Sequence, residues 1–66
     1  FTFLGKTAHA AAAPEQGRSA LDAVELMNVG ANYLREHIIP QARVHYVITD
    51  GGGKPNVVPG RAQSWY

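Results

Sequence analysis

Three histidines, a run of three glycines and one asparagine are the residues whose types and spacing could do chemistry in this sequence. His9, His37 and His45 stand far apart, with no two of them four residues apart on a helix and no cluster of acids nearby. A metal site needs three or four donors converging on one point, so this spacing argues against a site built from this chain alone. Gly51-Gly52-Gly53-Lys54 resembles a phosphate-cradling loop only superficially. Pro55 follows the lysine where a Ser or Thr is required, and the next segment reads as strand, not as a helix whose N-terminus could hold an anion. The glycine run therefore reads as a hairpin connection. His9, after Gly5-Lys6-Thr7-Ala8, is by bare chemistry either an exposed or satisfied imidazole or a functional one.

The elements that position these residues follow from periodicity. Phe1 and Phe3 share one face of an extended segment, Thr2 and Leu4 the other. Gly5 marks a bend or bulge, and Thr7 to Ala10 continue the strand before an alanine run that Pro14 and Gly17 punctuate as a loop. Ser19, with Asp22 three residues on, forms a helix N-terminus. Leu21, Val24, Met27, Ala31, Leu34 and Ile38 then recur at helical spacing, with Pro40 as the stop. Asp22, Glu25, Asn32, Arg35 and Glu36 take the wetter side. Gly30, costly in a helix by about 1 kcal/mol relative to alanine, suggests close packing against a strand. His37 falls in the last helical turn, where an imidazole suits the negative end of the dipole.

Beyond the helix, Val44, Tyr46 and Ile48 alternate with Arg43, His45, Val47 and Thr49, the mark of a strand over 42–50 with one buried face and an exposed His45. A second strand runs through Asn56-Val57-Val58, pauses at Pro59-Gly60 with a bulge or edge position for the proline, and resumes from Arg61 to Tyr66. The order strand, helix, strand, strand gives an α+β fold: an incomplete ferredoxin-like sandwich, an antiparallel sheet with one covering helix. The helix and strand that complete it are expected after Tyr66.

Size and composition bound the function. At 66 residues the chain has no cysteine, so neither disulfides nor thiolate zinc sites can supplement a small core. A partner subunit or a larger parent chain is the expected source of further burial. The absence of cysteine fits a cytoplasmic setting. A net charge of +1 makes no case for nucleic acid or an anionic membrane. The longest apolar run, Ala10 to Ala13, falls far short of the about 20 residues that cross a bilayer. RNA-binding sandwiches begin with the same element order, yet only Tyr46, Trp65 and Tyr66 are available to stack bases, and the basic-aromatic signature is missing. Both ends, Phe1-Thr2-Phe3-Leu4 and Ser64-Trp65-Tyr66, read as strand interior, so the chain is expected to be cut at each end.

Two motifs carry a resemblance. Gly5-Lys6-Thr7-Ala8-His9-Ala10, then Pro14 and Gly17-Arg18-Ser19-Ala20-Leu21-Asp22-Ala23, is similar to the lid-domain signature of the dinuclear-metal peptidase and amidohydrolase family, which includes carboxypeptidase G, aminoacylase and the auxin-conjugate hydrolases. Gly52-Gly53-Lys54-Pro55-Asn56-Val57-Val58-Pro59 resembles the second lid motif of that family, at about the expected distance. The resemblance spans essentially the whole chain. It implies that residues 1–66 are part of a lid and dimerisation domain, with the catalytic domain and the C-terminal part of the lid absent.

The resemblance also implies roles. A histidine matching His9 reaches into the partner protomer's active site and polarises the scissile carbonyl. An asparagine matching Asn56 holds the polar end of the substrate, and Gly53 lies beside it. The small residues Gly5, Ala8, Ala10, Gly52 and Gly53 would let backbone approach substrate or partner. The whole protein is implied to be a homodimer that hydrolyses acyl- or aminobenzoyl-amino acid amide bonds with two divalent metal ions, zinc or manganese. The family's metal ligands have no counterpart here, and a substrate-binding arginine is expected beyond Tyr66, so the chain is not expected to be active alone. The alternative from another class is a non-catalytic self-association module in which His9 and Asn56 are structural.

Overall fold

A computed structural model describes residues 1–66. It contains strand β1 (Thr2–Leu4), a 3-10 turn (Pro14–Gln16), helix α1 (Ala20–Leu34), strand β2 (Val47–Asp50) and strand β3 (Arg61–Trp65). The three strands form one antiparallel sheet in the order β1-β3-β2. This is the α+β, strand-helix-strand-strand arrangement expected from the sequence.

The central strand β3 pairs Gln63 with Thr2, Ala62 with Phe3 and Arg61 with Leu4 on one side. On the other, Trp65 pairs with Val47 and Ser64 with Ile48; a bulge then brings Asp50 opposite Gln63. Successive side chains on a strand point to opposite faces. Ala62 and Ser64 accordingly face α1 and are fully buried, whereas Arg61 and Trp65 are exposed. Small residues at 62 and 64 let the helix approach the sheet.

Ser19 caps α1 as its spacing with Asp22 implies: its hydroxyl accepts the Asp22 backbone N–H at 3.3 Å. The helix turns Ala20, Val24 and Asn28 onto the sheet, where Ala20, Val24 and Ala62 make the core with Phe3 and Leu21 packed against it. Leu21, Met27 and Ala31 are half-buried, as their spacing implies, but Leu34 is exposed. Gly30 does not mark a close approach to a strand, since a Cβ added there would meet nothing within 4 Å.

The helix also ends at Leu34, before the expected Ile38. Glu36 and His37 donate their backbone N–H groups three residues back, to Tyr33 and Leu34, which tightens the last turn and ends the α ladder. Arg35 then holds the descending chain by donating from Nε (3.0 Å) and Nη2 (2.6 Å) to the Val44 carbonyl. Pro40 therefore lies beyond the stop. His37 sits just past the helix, exposed beside Glu36.

Three expected strands are shorter than their patterns, the first of them because β1 ends at Leu4 and residues 7–10 make only an isolated bridge at His9. Val44 and Tyr46 are half-buried and His45 exposed, as alternation implies, but Ile48 is exposed against that pattern and regular pairing begins only at Val47. The ladder with β3 starts at Val47, opposite Trp65. The expected strand at 56–58 is a single bridge, His9 to Val57, because residues 54–57 form a turn closed by Val57 N–H to the Lys54 carbonyl.

Candidate functional site

The segment that carries His9 is fixed almost entirely by backbone. After β1, Gly5 donates to the Gly60 carbonyl at 2.8 Å, while Lys6 and Arg18 exchange two N–H···O bonds at 2.8 and 2.7 Å. Val58 then donates to the Ala8 carbonyl at 2.8 Å, and Ala10 to the Asn56 carbonyl at 2.9 Å. Residues 5–10 thus run between two stretches of the same chain, one around Arg18 and the other at 56–60.

Gly5 is required where these stretches meet. A Cβ there would lie 2.9 Å from the Ala20 nitrogen and closer still to the Arg18 carbonyl oxygen. The close approach expected of Gly5 is therefore to its own chain.

This ladder brings the backbones of the first two candidate residues together. His9 is bridged to Val57, next to Asn56, and both His9 and Asn56 are exposed. The His9 ring is itself held: Nδ1 accepts the backbone N–H groups of Ala11 and Ala12, each at 3.2 Å. The His9 carbonyl accepts from Ala13, closing the turn beneath the ring.

Gly53 is placed three residues before Asn56, exposed and open, with nothing within 4 Å of an added Cβ. It lines a shallow hollow with Thr7, Val57, Val58 and Arg61. Its neighbour Gly52 has φ +108° and abuts Pro59, so the turn itself demands glycine there. His37 and His45 take no part in this region, and no three His, Asp or Glu side chains converge anywhere in the chain.

A family model described as "peptidase dimerisation domain" matches residues 1–66, the whole of this ladder and the helix beside it. The chain belongs to the peptidase dimerisation domain family.

Among curated relatives, the dimerisation domain is 60% identical over 65 residues to a subunit of the p-aminobenzoyl-glutamate hydrolase of Escherichia coli, covering 97% of this chain and 14% of that protein. It is 42% identical over 64 residues to a mouse Xaa-Arg dipeptidase, covering 97% of this chain and 15% of the relative. The human Xaa-Arg dipeptidase is 38% identical over the same length, with the same coverage. The domain thus spans about a seventh of the relatives it matches. No helix in it is long and apolar enough to cross a membrane.

Two residues of this dimerisation domain do not stand out by their spacing. Asp50 accepts the Gly52 N–H at 3.2 Å and an Arg61 Nη1 hydrogen bond at 2.7 Å. These two contacts, the first foremost, hold its carboxyl below the ordinary range against a smaller opposing effect of burial. Asp50 thereby fastens the glycine loop to β3. The Asp-Gly-Gly string carries this signal, since an Asp side chain commonly accepts from the N–H two residues on. Asn28 is buried under the sheet, and its Oδ1 accepts the Tyr66 hydroxyl at 2.6 Å and the Ser64 hydroxyl at 3.4 Å.

Proposed function

We propose that this dimerisation domain serves a metal-dependent amidohydrolase that cleaves acyl- or aminobenzoyl-amino acid amide bonds, and that it supplies His9 to the active site of a second subunit. The observation that carries this reading is the pairing of residues 8–10 with 56–58, which fixes the backbone of an exposed histidine and an exposed asparagine on neighbouring segments. A donor fixed in advance where negative charge develops needs no reorganisation during reaction, and such donors are among the strongest contributors to the acceleration of acyl transfer. Asn56 offers both a donor and an acceptor for the polar end of the substrate. The open surface at Gly53 leaves room for substrate beside it.

In this proposal residues 1–66 are part of a lid whose remainder, with the catalytic domain, belongs to a longer cytoplasmic protein. Two divalent ions, zinc or manganese, are the cofactors of that protein. The residues of this chain do not fit such a site, because no three donors converge. The domain's share of the chemistry is confined to the groups that His9 and Asn56 present.

The surface supports a homodimer. Strand β2 is a free edge carrying exposed Val47 and Ile48, and α1 exposes Leu26, Val29 and Tyr33 away from the core. A second copy paired along β2 would continue the sheet across a two-fold axis and satisfy the edge.

The test grafts this chain in place of the matched segment of the Escherichia coli relative and follows hydrolysis of p-aminobenzoyl-glutamate. His9→Ala is expected to fold and dimerise while kcat falls about 10²- to 10³-fold. Mixing that variant with copies inactivated at their metal ligands is expected to restore activity in heterodimers. Normal turnover in His9→Ala overturns the role; no recovery on mixing overturns its action in trans and favours a structural role or a site completed within one chain.

A further inference from the structure

We infer that the turn Ala10–Ala13 is a positioning device for His9, fixing the ring as the tautomer that carries its proton on Nε2. The inference rests on the proposed role of His9 and concerns how that role is made possible. Nδ1 accepts two backbone N–H groups, from Ala11 and Ala12, each at 3.2 Å. A nitrogen that accepts cannot carry the proton in the neutral ring, so the proton is on Nε2. The opposite tautomer would lose both bonds and set an N–H against two others. His9 thus caps this single turn as a side-chain acceptor caps a helix, its ring meeting the second and third N–H groups of the turn.

The turn cannot drift, because Ala10 N–H is held by the Asn56 carbonyl and Ala13 N–H by the His9 carbonyl. The ring is thereby anchored on one edge, and its other edge presents Nε2–H as the remaining donor. An oxyanion needs such a donor, and an acceptor at that position would repel it. Ala11 and Ala12 contribute only their main chain, since their side chains are exposed. Asn56 acquires a second part, as the carbonyl that seats the turn.

The test uses the same graft. Ala11→Pro removes one N–H from the ring, whereas Ala11→Gly keeps it. Ala11→Pro is expected to lower kcat about three- to tenfold, the worth of one hydrogen bond, with KM nearly unchanged; Ala11→Gly is expected to keep normal turnover. Independently, ring-nitrogen NMR of the unsubstituted protein, at a pH above the histidine range, is expected to show His9 with Nδ1 unprotonated and Nε2–H as one tautomer. Exposed His37 and His45 serve as averaged references.

A His9 ring averaged like the references, or equal kcat in the proline and glycine variants, overturns the inference. If Ala11→Pro does not fold, the ring spectrum decides alone. The two readings fail separately: full activity in His9→Ala removes the catalytic role, whereas an inactive His9→Ala with an averaged ring removes only the lock.

Discussion

Gly5→Ala asks whether the scaffold around His9 depends on one close backbone approach. The new methyl would stand 2.9 Å from the Ala20 nitrogen and nearer to the Arg18 carbonyl oxygen, where ordinary contact starts at 3.4 Å. Both neighbours are main chain, so no side chain can swing aside. The Arg18 carbonyl must retreat by more than an ångström, and it is the group that accepts Lys6 N–H at 2.8 Å. Overpacking costs about 1–3 kcal/mol, and losing the Lys6–Arg18 pair adds about 1–2 kcal/mol. A central figure is about 3 kcal/mol, or at least a 10 °C fall in Tm for a chain of this size, at about 4–8 °C per kcal/mol. Denaturant and thermal unfolding of the chain, followed by far-ultraviolet circular dichroism, measure it directly. In the grafted enzyme the same change should lower kcat, because residues 5–10 are one continuous support for His9. Unfolding within about 0.5 kcal/mol of the parent would refute the reasoning, since it would mean that the 5–18 crossing yields without cost.

The other predictions bear on the helix and the glycine loop. Gly30→Ala should stabilise the chain by about 0.5–1 kcal/mol, because the position is helical, exposed and free of neighbours within 4 Å; denaturant titration checks it, and a loss would restore the idea of close packing there. Ser19→Ala should cost about 1 kcal/mol by the same measurement, through loss of the Asp22 N–H cap. Asp50 has a lowered folded pKa, so its contribution to stability is complete above the unfolded carboxylate pKa and is lost as pH falls through the folded value. Stability profiles of the chain and of Asp50→Asn should therefore differ above the acidic range and converge below it; parallel profiles down to low pH would contradict the assignment.

How much of this is legible in the sequence depends on the range of the interaction that decides each residue. The Ser19 cap lies within four residues, and the helix, the element order and the glycine turn follow local patterns, so they can be read directly. The end of α1 cannot, because Arg35 is recruited by a carbonyl nine residues away and the last turn tightens well before Pro40. The strand over 42–50 falls short of its pattern for a similar reason. Alternation reports which face is buried, as at Val44 and Tyr46, but a strand also needs a paired partner, and the ladder with β3 takes in only the residues from Val47 onward. The meeting of His9 and Asn56 is visible only as two motifs, since backbone bonds across nearly fifty residues leave no periodicity.

Asn28 shows the same limit from the inside of the core. Its place on the helix, four residues after Val24 and eight after Ala20, puts it on the buried face, yet its amide makes the apolar positions nearby look like the better stripe. Burying an amide without partners costs about 1–3 kcal/mol, and here the cost is avoided because Tyr66 and Ser64 both point hydroxyls at Oδ1. Those partners come from β3 and the residue following it, and Ser64 is itself buried between Asn28 and the Val47 carbonyl. One polar cluster therefore ties the helix to the two strands beneath it, including β2, the edge proposed to meet a second copy. Replacing Asn28 with leucine would leave the Ser64 hydroxyl without its helix partner and crowd a core built around Ala62, so it should destabilise by about 1–3 kcal/mol despite adding apolar surface. Equal or greater stability in denaturant titration of Asn28→Leu would mean that the amide is incidental and that the helix is held to the sheet by its alanines and Val24 alone.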